Sequence, residues 1–288
     1  MTDLLQLLLA GVSVGAVYAL VAMGFTVIFA VSEIINLTQG EFAALAGLIA
    51  ISATAAGLPM PLALLIAIVT VVATALLIRL VIAPVKRMTT LLSIILTLGL
   101  STALKAAMLL VWGPEGRGLD PLPGPNYVAW GVSVPSQYLW IIGVTAVVSV
   151  AVAWFYERTL TGKALRACAE QPTAARLVGI SVGGATLLSF GIAGFLGAVA
   201  GVLASPVYFS AWDSGLALGL KGFVAATLGG LTSIRGAIAG GLVLGVLESL
   251  VAGYIDSGFR DAVAFVVLIV VLVARPDGIF RPHSVARV

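Results

Sequence analysis

Charge is what this chain has least of. Only 9% of its 288 residues are Asp, Glu, Lys or Arg, where a soluble domain carries about 25%. A water-soluble fold of this length could not cover its surface with so few ionised groups. The scarcity therefore excludes a soluble enzyme or binding module and leaves the bilayer as the solvent. Cysteine and histidine are nearly absent. Cys168 is alone, so no intrachain disulfide forms, and the one histidine is His283 near the C-terminus. One of each makes neither a His/Cys metal centre nor a Cys–His nucleophilic pair. The sequence contains no G-x-x-x-x-G-K-[ST], no G-x-S-x-G and no H-E-x-x-H. The chain thus lacks a P-loop for ATP, and with no clear nucleophile–base pair an intramembrane enzyme is disfavoured. Met1-Thr2-Asp3 has no Lys or Arg, and the apolar run after it is longer than a signal-peptide core, so a retained first helix is expected.

What the chain does have is apolar sequence: 61% hydrophobic residues and a mean hydropathy of +1.18. Spanning helices need about 20 apolar residues each. Nine segments qualify or come close: Leu4–Val31, Phe42–Ala56, Pro61–Ala83, Leu91–Trp112, Gln137–Phe155, Val182–Ala204, Leu216–Leu231, Ala237–Ile255 and Phe259–Ala274. The expected fold is an all-α polytopic membrane protein of about eight or nine transmembrane helices, residues 1–288 forming one membrane domain. Phe42–Ala56 and Leu216–Leu231 reach only about 22 Å at 1.5 Å per residue, short enough for either to be re-entrant.

The connections alternate in charge. One set holds Arg79/Lys86/Arg87, Arg158/Lys163/Arg166/Arg176, Arg235 and Arg275/Arg281/Arg287; the other (57–60, 113–135, 205–215, 256–258) has only Arg117. Alternation implies nine crossings, with the cationic set cytoplasmic, the N-terminus outside and the C-terminus inside. The net charge of +3 is therefore an orientation signal and gives no case for nucleic acid. Five G-x-x-x-G pairs, Gly11/Gly15, Gly197/Gly201, Gly215/Gly219, Gly236/Gly240 and Gly241/Gly245, predict close helix packing.

Four features carry chemistry. Asn36-Leu37-Thr38-Gln39-Gly40-Glu41 interrupts the apolar pattern between the first helix and a short second one. Thr38-x-x-Glu41 fits a capping box, with Thr38 accepting from the Glu41 amide and Glu41 bonding back; a broken helix lining a path is the functional reading. Leu228 to Gly236, with Gly229, Gly230 and Thr232, follows the other short segment. Two short, Gly-interrupted segments in comparable halves point to a transport site. Lys105, Lys221 and Glu248 lie within apolar runs, at about 6–11 Å from one surface. An intramembrane pair of Glu248 with Lys221 or Lys105 is expected, snorkelling lysines being the alternative. Glu157–Ser181 is the longest cationic connection, with Thr161, Gly162, Arg166, Glu170, Ala174 and Gly179. Its length suits a short amphipathic helix that meets a cytoplasmic partner or lies on lipid headgroups.

Gly24–Phe29, Ile35–Phe42, Thr161–Ala169 with Ala174 and Gly179-Ile180, Gly219–Phe223 with Leu228–Gly230, Gly236-Ala237, Gly240-Gly241 and Glu248, and the closing Arg275-Pro276-Asp277-Gly278-Ile279-Phe280 resemble the permease subunits of branched-chain amino-acid ABC importers. The resemblance runs from about residue 10 to 280. It implies a bacterial inner-membrane protein that pairs with a second, similar permease and two cytoplasmic ATPases, with a periplasmic or lipoprotein binding protein delivering solute. ATP would be used by those partners, and no cofactor or metal would be bound by this chain. Residues 160–180 would hold the coupling helix. The family often has a polar-aromatic pair where this chain has Leu37-Thr38-Gln39, and relatives also carry urea or short amides. An ion-coupled secondary transporter is the other alternative, although Glu248 and Glu41 are the few acidic residues it could use.

Overall fold

The computed structural model describes residues 2–85, 89–129, 132–275 and 278–279. Lys86, Arg87, Pro276, Asp277, Phe280, Arg281, His283 and Arg287, named above, lie outside that set. The apolar segments are helices: α1 (Thr2–Ser32), α2 (Gln39–Ala55), α3 (Met60–Ile82), α4 (Thr90–Trp112), α5 (Ser136–Arg158), two short helices α6 (Leu160–Glu170) and α7 (Pro172–Leu177), then α8 (Val182–Ala204), α9 (Ser214–Gly229), α10 (Ile234–Tyr254) and α11 (Arg260–Ala274). A small antiparallel hairpin, β1 (Tyr127–Ala129) and β2 (Val132–Val134), sits in the connection before α5. Helix starts follow their local chemistry. Thr89, Ser181 and Ser233 cap α4, α8 and α10 by accepting from Leu92, Gly184 and Gly236 amides, and proline opens α3 and α7.

Among the described residues seven helices are long and apolar enough to cross a membrane, the last counted from Ser257 through the turn that leads into α11, while α2 and α9 are shorter. The glycine pairs explain the packing. Gly11, Gly15, Gly241 and Gly245 bring α1 and α10 into antiparallel backbone contact; Gly197 and Gly201 seat α8 on Phe42 and Ala43 of α2; Gly240 lies against Ala225, and Gly229 and Gly236 lock α9 to α10. Without a hydrophobic drive between helices in lipid, this close approach is what holds the bundle. α1 is its buried axis, while α3, α4, α5 and α11 turn Val69, Leu110, Val147 and Val273 outward, a surface only lipid or another membrane subunit can cover.

The contacts also fix which ends share a face. Leu7 of α1 lies against Gly253 near the end of α10, and the Ser249 hydroxyl donates to the Leu7 carbonyl at 2.7 Å. The start of α1 therefore shares a face with 255–259. On the opposite face Arg235 pairs with Glu157, and the Ile279 amide donates to the Leu228 carbonyl. The described cations Arg158, Arg235 and Arg275 all sit on that second face, at or just beyond the ends of α5, α10 and α11. The start of α1 and the end of α11 thus lie on opposite faces.

Candidate functional site

α1 ends at Ser32, and Glu33 turns the chain with φ 56°, a left-handed value rare for a residue other than glycine, asparagine or aspartate. Residues 33–38 then run back along the bundle without helical structure. The Gln39 amide fills the space beside Gly24, eight residues before the end of α1, so the chain has returned about 12 Å. Gln39 Nε2 donates to the Ala193 carbonyl at 3.0 Å, midway along α8. α2 therefore begins deep inside the bundle.

Irregular backbone at that depth needs partners, and this stretch has them. The Thr97 hydroxyl of α4 accepts from the Leu37 amide at 3.2 Å and shares its proton between the Ile35 and Ser93 carbonyls. Asn36 Oδ1 accepts from the Thr38 hydroxyl at 2.6 Å and the Thr38 amide at 3.3 Å. The expected capping box is not formed. Thr38 is already helical, at φ −75° and ψ −5°, and makes no side-chain cap. Its hydroxyl serves Asn36 instead, because the chain arrives from inside the bundle where Asn36 is the nearest acceptor.

Glu41 turns away from Thr38 toward α4. Its Oε1 accepts from the Ser101 hydroxyl at 3.0 Å and lies 3.7 Å from Lys105 Nζ. The carboxylate is 0% exposed and the Lys105 side chain 17%. Oε2 has no hydrogen-bond partner and lies against Gly215, in the first turn of α9. There Gly40 meets the Gly215 carbonyl and the Gly219 backbone, so the N-termini of the two short helices cross at one point, backbone to backbone.

A second buried charge cluster lies on α10. Tyr18 donates to Glu248 Oε2 at 2.7 Å, and Lys221 Nζ stands 3.3 Å from the same oxygen, 2.8 Å from Asp261 Oδ1 and 5.7 Å above the Tyr18 ring. Glu248 faces Lys221, as one of the two expected arrangements had it. Lys105 does not join them; it faces Glu41. Counting from helix ends fixes depth but not direction round the bundle, and α4 packs on α2.

The Gly229–Gly230–Thr232 turn is not brought to the break. It lies at the opposite end of α9 from Gly215, fourteen residues or about 21 Å away, with Thr232 exposed and Gly230 at φ 92° against Gly278. The end of α9 that meets residues 36–41 is its start. Ser101, Thr97 and Asp261 do not stand out in the sequence as site residues, and Gly215 stands out only as a packing glycine. Ser93, Thr97, Ser101 and Lys105, four apart, form a polar stripe on α4 that could have revealed two of them.

Over the cationic face, α6 and α7 form a shelf. Thr159 caps Gly162, which presses on the Phe155 carbonyl where any side chain would clash. Leu165 and Cys168 face inward, while Arg166, Glu170, Ala174 and Gly179 are exposed, Gly179 at φ 87°. No ion pair joins Arg166 to Glu170 among the described residues. Leu177 and Val178 are 85% and 76% exposed at the tip. Between this shelf and the bundle is a crevice of about 350 Å³ lined by Glu33, Arg79, Cys168, Pro172 and Arg176. The shelf thus faces the root of the break across this crevice. Among the described residues no group of three or more His, Cys, Asp or Glu could hold a metal ion.

Comparison with known proteins places this architecture. The family described as branched-chain amino acid transport system / permease component matches residues 7–272. The chain is 32% identical to the high-affinity branched-chain amino acid transport system permease protein LivH of Escherichia coli, over 99% of this chain and 97% of that one. It is 34% identical to the corresponding permease protein BraD of Pseudomonas aeruginosa, over 99% and 98%. A chain from the structure of PsaBC from Streptococcus pneumoniae in complex with Fab superposes with a TM-score of 0.55 at 15% identity, covering 96% of this chain and 93% of that one.

Proposed function

The chain belongs to the family of branched-chain amino acid transport permeases, and from that premise we infer that its solute path runs along the broken junction between α1 and α2. It is the transmembrane permease subunit of an ABC importer for branched-chain amino acids, with an ABC importer permease fold. The family is a transport subunit, not an enzyme, and works with ATP-binding and solute-binding components. The urea or short-amide reading and the ion-coupled one find no support among the relatives above.

The observation that carries the path assignment is the start of α2 in mid-bundle, with Asn36, Thr38, Gln39 and Glu41 buried where a continuous helix would carry apolar side chains. Non-helical backbone at membrane depth marks a path or cavity. The finer assembly is part of the same proposal: a second, similar permease covers an outer face, two ATPases dock on the 157–181 shelf, and a periplasmic or lipoprotein binding protein delivers solute to the other face. The cationic face is cytoplasmic in a bacterial inner membrane, the N-terminus outside. ATP is used by the partners, and this chain binds no cofactor. Closure of the ATPases pushes the α6–α7 shelf, and the movement reaches residues 33–38 across the crevice that the shelf and the Glu33 turn line together.

The test is reconstitution in vesicles. ATP-dependent leucine uptake is expected with the ATPase and binding protein present, and none with the permease alone. Uptake by this chain without an ATPase would defeat the reading.

A further inference from the structure

We propose that Glu41, Lys105 and the first turn of α9 form a two-point site for the zwitterionic head of the solute, its ammonium taken by Glu41 Oε2 and its carboxylate by Lys105 and the α9 N-terminus. This rests on the permease reading and adds which atoms recognise the solute. Three observations carry it. Glu41 Oε2 is a fully buried carboxylate oxygen with no partner, a costly condition that Glu248 Oε1 shares, but only Glu41 Oε2 is aimed at a helix N-terminus, against Gly215. The oxygen lies in the first turn of α9, a helix whose N-terminal Asp213 makes no side-chain cap; such an uncapped turn favours an anion. Lys105 stands 3.7 Å from the other oxygen, so the two facing side chains carry one charge of each sign, with Asp213 exposed beside them at the start of α9.

Charge neutrality makes the exchange feasible at this depth. In the closed arrangement Glu41 itself serves as the anion for both Lys105 and α9. A zwitterion entering between them replaces each interaction with its own complement, giving four alternating charges and no net charge in the low-dielectric interior. A cation alone would leave Lys105 opposed, and an anion alone would leave Glu41 opposed, each an uncompensated buried charge. The space comes from the helix crossing: Gly40 and Gly219 bring α2 and α9 together backbone to backbone, and the side chain seated against Gly215 is the Glu41 carboxylate itself.

Binding to the complete permease–ATPase complex in nanodiscs tests this, using three probes: leucine, leucinamide (ammonium without carboxylate) and 4-methylpentanoate (carboxylate without ammonium). The wild-type complex should prefer leucine to either analogue by tenfold or more. Glu41→Gln should lose on the order of a hundredfold for leucine, the scale for truncating one partner of a buried charge pair, and its preference for leucine over 4-methylpentanoate should collapse toward one. Lys105→Met should instead erase the preference for leucine over leucinamide. Proportionate weakening of all three probes in both variants would assign the pair a structural role and overturn the proposal; so would unchanged affinities. If Glu41→Gln fails to assemble, Glu41→Asp must show the same change of ratio in milder form, and its absence counts against the site equally. A wild-type complex that neither binds nor transports leucine defeats the permease reading itself, a result distinct from altered ratios in the variants.

Discussion

Among the described residues two acidic side chains, Glu41 and Glu248, are buried among the helices, and their settings differ. Glu248 sits within the continuous helix α10. It is held by Tyr18 and Lys221, and Lys221 is held in turn by Asp261, which is 76% exposed at the start of α11. Four helices, α1, α9, α10 and α11, are pinned by that cluster. Glu41 sits in the first turn of a helix that begins in mid-bundle. One oxygen is held loosely by Ser101 and Lys105, and the other has no partner. Each carboxylate leaves one buried oxygen without a partner, Oε2 of Glu41 and Oε1 of Glu248, so the difference lies in the backbone: Glu248 is fastened within a regular helix to groups on three others, whereas Glu41 stands at a break, against a glycine crossing. The two carboxylates look alike in composition; the backbone around them assigns their work.

The sharpest way to break that comparison is at the crossing itself. Gly40→Val would place a side chain where even a Cβ clashes with the Gly215 carbonyl, and overpacking of that kind costs about 1–3 kcal/mol. Leucine uptake by reconstituted vesicles should drop by roughly a hundredfold, while Gly99→Val, whose Cβ meets nothing, should leave it near wild type. Next comes a contrast between the two carboxylates. Glu248→Gln removes the centre of a buried ionic cluster and should lower stability by about 3 kcal/mol, read as a fall in the thermal unfolding midpoint of the purified complex. Glu41→Gln should shift that midpoint far less while costing more transport. Equal midpoint shifts would erase the distinction. Exchanging Lys221→Glu with Glu248→Lys should recover only part of the loss, because Tyr18 and Asp261 still favour the native signs. Full recovery would mean the pair acts alone.

A smaller effect is expected on the cationic face. Arg166→Glu, exposed on α6, should leave insertion intact and lower leucine uptake per ATP hydrolysed several-fold; normal coupling would remove the shelf from the proposed ATPase contact. The smallest concerns Cys168. It is buried and burial pushes its thiol up, against an opposing pull from Arg176. Little thiolate is present at neutral pH, so maleimide labelling of the folded complex should be slow and should speed up only above the ordinary thiol range. Fast labelling at pH 7 would show that the shelf opens away from the bundle.

Much of this was legible in order of residues. Segment ends predicted from apolar runs fall within a few residues of the helices, because length and apolarity are dictated by the bilayer and need no partner to be read. The glycine pairs announced close packing, and loop charge announced which connections share a face. The site was legible in part. Asn36 to Glu41 stood out as polar sequence in an apolar setting, yet the capping box read from Thr38-x-x-Glu41 does not form, since a local pattern could not reveal that Ser101 and Lys105 would compete for Glu41. Thr232 looked equivalent by composition, but it belongs to an exposed turn.

By itself the sequence determined that this chain lives in a membrane, carries nine apolar segments of which two are short, contains no P-loop motif and interrupts its apolar order at residues 36–41. Those properties follow from transfer free energies and from spacing along one chain. Only the tertiary structure decided that α2 starts in mid-bundle, that Lys105 faces Glu41 and not Glu248, and that the start of α9 is the end that meets the break. Each of those depends on the rotation of one helix about its axis relative to another. That rotation is set by which glycine faces reach backbone contact across the bundle, and no single segment encodes it.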